Sequence, residues 1–88
     1  MSTPDAGSTV VAHLQAEQAR LSNAVAHLQR SNAELREALA AGPDSEYETA
    51  VAENAGVIET YERRVAELQR EIEALAPHAH EGEAGQWL

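Results

Sequence analysis

The chain has 88 residues, which is enough for one small domain, and it contains no cysteine that could form a disulfide or a thiolate metal site. Its formal net charge is −9, and all of its basic residues are arginines. This balance disfavours nucleic-acid binding, because phosphate contacts supply most of that affinity. A chain of this size without disulfides usually needs a partner or a second copy to support its core.

The sequence contains no apolar stretch long enough to cross a membrane, and its first residues, MSTPDAGST, lack a charged and then apolar signal sequence. We therefore expect no membrane insertion and a cytoplasmic or nuclear location.

Proline and glycine divide the chain into two helices of similar length. Residues 1–8 include Pro4 and Gly7 and are predicted to be a disordered N-terminus. Residues 9–41 contain neither proline nor glycine, so the first helix is predicted there, with Ser8 or Thr9 as its cap.

The stretch AAGPDSE then predicts a tight turn over residues 42–44. Gly42 suits the position after a helix end, Pro43 cannot continue the helix, and Asp44 or Ser45 can cap the next one. Ser45 and Glu48 also match a capping box. The second helix is predicted over 45–76, before Pro77, and residues 77–88 are predicted to be a flexible tail.

Both helices carry a heptad pattern, in which positions a and d form an apolar seam. In the first helix the a positions are Val11, Gln18, Val25, Asn32 and Leu39, and the d positions are Leu14, Leu21, Leu28 and Leu35. In the second helix the a positions are Val51, Ile58, Val65 and Ile72, and the d positions are Tyr47, Asn54, Tyr61, Leu68 and Leu75.

Folding the chain back at Pro43 sets each a residue of one helix opposite a d residue of the other. Asn32 then faces Asn54, a polar pair that can hydrogen-bond and so define the register. Arg36 also comes near Glu48 at the side of the seam. The fold class is therefore predicted to be all-α, an antiparallel two-helix coiled-coil hairpin. The alternative is a parallel dimer through one helix, since helix two has β-branched residues at a and helix one resembles a leucine zipper.

A single hairpin buries one seam and leaves most of each helix surface exposed to solvent. We therefore expect dimerisation or partner helices to complete a helical bundle. The g positions beside the seam suggest where these further helices would pack. They form what we call the small-residue face, and they are Ala24, Ser31, Ala38, Ala50 and Val57. Small side chains let another helix pair approach closely.

The pentapeptide VAHLQ occurs at residues 11–15 and again at 25–29, and each copy is one a-to-d step of the seam. His13 and His27 then lie about 21 Å apart along the helix and cannot share a metal. In the tail, His78, His80 and Glu81 could bind a metal only weakly, so no metal site is predicted. Trp87 and Leu88 could be a short binding motif for another protein. The alternative is that they dock on the open end of the hairpin or are disordered.

The sequence has no phosphate-binding loop, no nucleophile motif and no zinc-ligand spacing. We therefore expect neither an enzyme nor a cofactor, and no small-molecule substrate. The interpretation is a coiled-coil adaptor or a small structural subunit of a multiprotein complex. The alternative is a zipper-type dimerisation regulator without a DNA-binding region, since no basic residue precedes the first heptad.

Overall fold

The computed structural model describes residues 6–75, with side chains from residue 9 onward. Helix α1 runs from Ala6 to Ala41 and helix α2 from Ser45 to Leu75, and the two pack against each other. The predicted all-α helical hairpin is confirmed. The a and d seam of α1 packs against that of α2 within one chain. In the parallel dimer through one helix, the seam would instead pack against the same helix of a second chain. Trp87, Leu88 and the tail histidines lie outside the described residues.

The helix ends differ slightly from the prediction. Helix α1 begins at Ala6 rather than at residue 9, so Ser8 and Thr9 are helical residues instead of caps. The helix can extend this far because no proline lies between Ala6 and the turn. Gly7 costs the helix only about 1 kcal/mol relative to alanine, which is small for a helix of this length. Helix α2 ends at Leu75, one residue before the predicted end.

Asp44 caps the second helix. Its carboxylate oxygen accepts hydrogen bonds from the backbone N–H groups of Glu46, at 3.0 Å, and Tyr47, at 3.1 Å. Ser45 is the first residue of α2, so the capping box with Glu48 does not form. At the turn, the backbone N–H of Gly42 donates a hydrogen bond of 3.2 Å to the carbonyl of Leu39. Its backbone is not left-handed, so the glycine-type helix end expected there is absent.

The core follows the heptad seam along the length of the hairpin. Among the described residues, the buried apolar side chains are Val25, Leu68 and Ile72, all at a or d positions. The other apolar seam residues are half-buried, except Tyr47 and Leu75 near the two ends, which are 40% and 49% exposed. The hairpin therefore has a thin core, one side chain deep.

Candidate interaction surface

The seam contains a polar layer near its middle, formed by two asparagines. The Asn54 side-chain amide donates to Oδ1 of Asn32 at 3.0 Å, and the Asn32 amide donates to the carbonyl of Val51 at 3.2 Å. Asn32 is 2% exposed, and its polar atoms all have partners. The structure therefore places Asn32 and Asn54 inside the hairpin. Their bonds define how far one helix is shifted against the other.

A second polar layer, which sequence reasoning did not identify, lies at Gln18. Its Nε2 donates to Oε1 of Gln69 at 2.9 Å and to the carbonyl of Val65 at 3.4 Å. The signal for it was present in the sequence, because Gln18 occupies an a position that an apolar residue would normally fill. The register thus has polar contacts at two separate levels.

The small-residue face lies on one side of this seam. Ala24, Ser31 and Ala50 are half-buried, whereas Ala38 is exposed. Val57 is 38% exposed, which makes it one of the most exposed large apolar side chains in the described part of the chain. No charged residue occupies any of these five positions. The face is therefore a smooth, uncharged strip that runs from the middle of the hairpin towards its turn.

The same side of the hairpin becomes charged towards its open end. Arg64 lies 3.6 Å from Glu17 across the helix pair, 3.2 Å from Glu67 and 3.3 Å from Glu71. The hydrogen bond with Glu67 raises the pKa of Arg64, and the charges of Glu17 and Glu71 raise it further against a partial opposing effect of desolvation. Arg64 carries a positive charge, as arginine side chains in proteins do, and this charged cluster bounds the small-residue face.

The predicted approach of Arg36 to Glu48 does not occur as an ion pair. Both side chains are exposed. Within the described residues, the ion pair that joins the two helices is instead the one between Arg64 and Glu17.

The opposite side of the hairpin carries an open groove of about 250 Å³. Val25 and Val65 form its floor, and Ser22 and Glu62 form its rims. Because this groove is shallow and rimmed by a carboxylate, it offers no enclosed environment of the kind that small-molecule sites require. Residues 6–75 also contain no group of three His, Cys, Asp or Glu side chains placed to hold a metal ion.

The model of the TMA17 helical domain matches residues 8–76, which include α1 from its third residue onward, the turn and all of α2. The chain belongs to the TMA17 helical domain family. The match extends over nearly all of the described hairpin, and the matched residues of this chain include the seam, the asparagine layer and the small-residue face. No curated protein and no solved structure shows significant similarity to the chain.

Neither α1 nor α2 has a segment long and apolar enough to cross a membrane. Membership of the TMA17 helical domain family and the two-helix structure are compatible with a small helical protein-interaction subunit.

Proposed function

We propose that the protein is a non-enzymatic helical adaptor or small structural subunit that acts by packing its small-residue face against other helices. The proposal includes a cytoplasmic or nuclear location. The observation that carries it is the uncharged strip around Val57, which is 38% exposed although it lies beside the seam of a folded hairpin. Small and apolar side chains at such positions favour close packing of a further helix pair.

The thin core supports the same proposal. Helices draw most of their stability from tertiary packing, and the described hairpin buries only Val25, Leu68 and Ile72 among its apolar side chains. The chain has no disulfide to compensate, because it contains no cysteine. Helices packed on the small-residue face would supply the burial that the hairpin lacks.

The alternative proposal, a zipper-type regulator that pairs with another zipper, needs a free a and d seam. In the hairpin that seam is occupied, since Asn32 already bonds to Asn54 and Gln18 to Gln69 within one chain. Such a regulator would have to open the hairpin before it could bind. This cost favours the adaptor.

The test is to place charge on the small-residue face without touching the seam. Ala38→Glu combined with Val57→Glu should abolish association with partner helices or with a second copy, because two carboxylates would have to be desolvated in the contact. Circular dichroism should show that the helices remain. Affinity purification from the native host, with light scattering of the purified chain, measures the association.

The matched control is Ser22→Glu combined with Ala55→Glu, which places the same charge at exposed positions on the opposite side. We expect this control to associate like the unmodified chain. Equal association by both double variants would show that the small-residue face is not the interaction surface, and the adaptor proposal would then lose its main support.

A further inference from the structure

We propose that the hairpin consists of two folding units, and that the unit next to the turn opens by itself while the other stays closed. The turn segment comprises residues 32–54, and the open-end segment comprises residues 9–31 and 55–75. The boundary between them is the layer in which Asn54 bonds to Asn32. This inference concerns the seam, and it does not depend on what covers the small-residue face.

The first argument is burial, which is unequal in the two segments. All apolar side chains that are buried within the described residues belong to the open-end segment. They are Val25, Leu68 and Ile72. In the turn segment, Tyr47 is 40% exposed, and the remaining apolar residues of the seam are half-buried. These are Leu35, Leu39 and Val51. Regions with few buried apolar contacts are the ones that unfold locally at low cost.

The polar contacts between the two helices follow the same division. In the open-end segment, Gln18 bonds to α2 at two points, and Arg64 lies 3.6 Å from Glu17. In the turn segment, the polar contacts between α1 and α2 within the described residues are those of Asn32, at the boundary itself. The stretch between that layer and the turn is therefore joined only through half-buried or exposed apolar side chains.

The second argument is charge. The turn segment carries six carboxylates and a single arginine, Arg36. The carboxylates are Glu34, Glu37, Asp44, Glu46, Glu48 and Glu53. The open-end segment also carries six, but it balances them with five arginines. Its charged residues are Glu17, Glu59, Glu62, Glu67, Glu71 and Glu73 with Arg20, Arg30, Arg63, Arg64 and Arg70.

This imbalance acts against the closed turn segment. Net charge of one sign destabilises a compact state through self-repulsion. The ion pairs within the described residues all lie in the open-end segment, since each of them involves Arg63 or Arg64. The turn segment is therefore a conformational switch whose balance depends on ionic strength.

Local features at the turn act in opposite directions. Asp44 caps α2, and Glu46 and Glu48 lie in its first turn, where the helix dipole favours acidic groups. In contrast, α1 ends without a basic residue in its last turn, although the dipole there favours cations. None of these features joins the two helices, so the unequal seam decides which segment opens.

The third argument is the chemistry of the boundary residues. In the opened form α1 ends at Ser31 and α2 begins at Ala55. Asn54 then occupies the N-cap position of the shortened α2, and asparagine is among the best residues there. Asn32 follows the last residue of the shortened α1, where asparagine is also accepted. Gly56 weakens the continuity of α2 across the boundary, since glycine is a poor helix former and nothing lies within 4 Å of the place that a Cβ would occupy.

Amide hydrogen exchange of the full chain, measured by mass spectrometry, tests this inference. We expect the helical amides of the turn segment to exchange at least about tenfold faster than those of residues 61–72. The matched variants are Ala52→Gly in the turn segment and Ala66→Gly in the open-end segment, both at exposed positions of α2.

The two glycine variants should affect the segments differently. Ala52→Gly should speed the exchange of the turn segment about fivefold, which corresponds to the helix penalty of glycine. Ala66→Gly should speed exchange in the open-end segment and leave the turn segment unchanged, because residue 66 stays helical when the turn segment opens. If both variants speed exchange in both segments by the same factor, the hairpin opens as one cooperative unit and the inference is wrong.

Charge provides a second readout. Glu37→Gln combined with Glu53→Gln should slow the exchange of the turn segment about two- to threefold, because it reduces the repulsion that favours opening. Sodium chloride at about 0.5 M should act in the same direction by screening. The control, Glu62→Gln, removes an exposed carboxylate of the open-end segment and should leave exchange in the turn segment unchanged.

Two further outcomes would overturn the inference. One is slower exchange in the turn segment than in residues 61–72, and the other is exchange in the turn segment that responds neither to the charge variants nor to salt. The adaptor proposal is tested separately, by the association of the Ala38→Glu and Val57→Glu double variant, so the failure of one proposal does not decide the other.

Discussion

At the scale of single residues, the asparagine layer illustrates how a costly buried group determines register. Asn32 is 2% exposed, and its side-chain amide is satisfied because Asn54 donates a hydrogen bond to its Oδ1 and the carbonyl of Val51 accepts one from its Nδ2. Removing one partner leaves a buried amide unpaired, which typically costs about 1–3 kcal/mol, whereas replacing both by apolar groups can be neutral or stabilising. The layer therefore contributes more to specificity than to stability.

We expect Asn54→Leu alone to lower the free energy of unfolding, and Asn32→Leu combined with Asn54→Leu to raise it above that of the single variant. Urea denaturation followed by circular dichroism measures both, and sedimentation should show that the double variant populates additional oligomers. A double variant that is no more stable than Asn54→Leu, with unchanged association, would mean that the two amides are not coupled.

At the scale of the elements, the start of α2 is the clearest place where the structure decides between sequence alternatives. Both Asp44 and Ser45 can cap a helix, and the structure gives that role to Asp44 through its bonds to the N–H groups of Glu46 and Tyr47. We expect Asp44→Ala to cost about 1 kcal/mol of stability, because those N–H groups lose their acceptor. Ser45→Ala should leave stability nearly unchanged, and thermal melts of the two variants at one concentration make the comparison. A larger loss at Ser45 than at Asp44 would contradict the observed cap.

The elements also show how far sequence reasoning extends. The heptad spacing predicted both helices, the seam and the placement of Asn32 opposite Asn54, because apolar periodicity and a short turn leave few arrangements. It did not predict that Arg64 would form an ion pair with Glu17, or that Arg36 and Glu48 would form none with each other. Long charged side chains at the surface have several partners of nearly equal energy, so the sequence does not rank them. The small-residue face follows from the same heptad assignment as the seam, but its occupant depends on a molecule outside the chain.

At the scale of the whole molecule, the hairpin and its assembly depend on each other. A chain with a three-residue turn between two long helices can pair its helices internally, or it can open and exchange α2 with a second copy. The two forms would share the same seam contacts, so helicity alone does not separate them. The structure shows the closed hairpin, in which α1 and α2 of one chain pack together, and the small-residue face then lies on the outside of that pair.

Cysteines at seam positions distinguish the closed hairpin from the exchanged form. The bond from Gln18 to the carbonyl of Val65 places Val65 against α1, within a turn of Leu21. Leu21→Cys combined with Val65→Cys should therefore form an intramolecular disulfide in dilute solution, visible as a monomer of increased mobility on a non-reducing gel. The control, Leu21→Cys with Ile58→Cys, is displaced by one heptad, about 10 Å along the axis, and should not crosslink. Covalent dimers from the first pair at every dilution would show that α2 is exchanged between copies, because the contact between positions 21 and 65 would then join two chains.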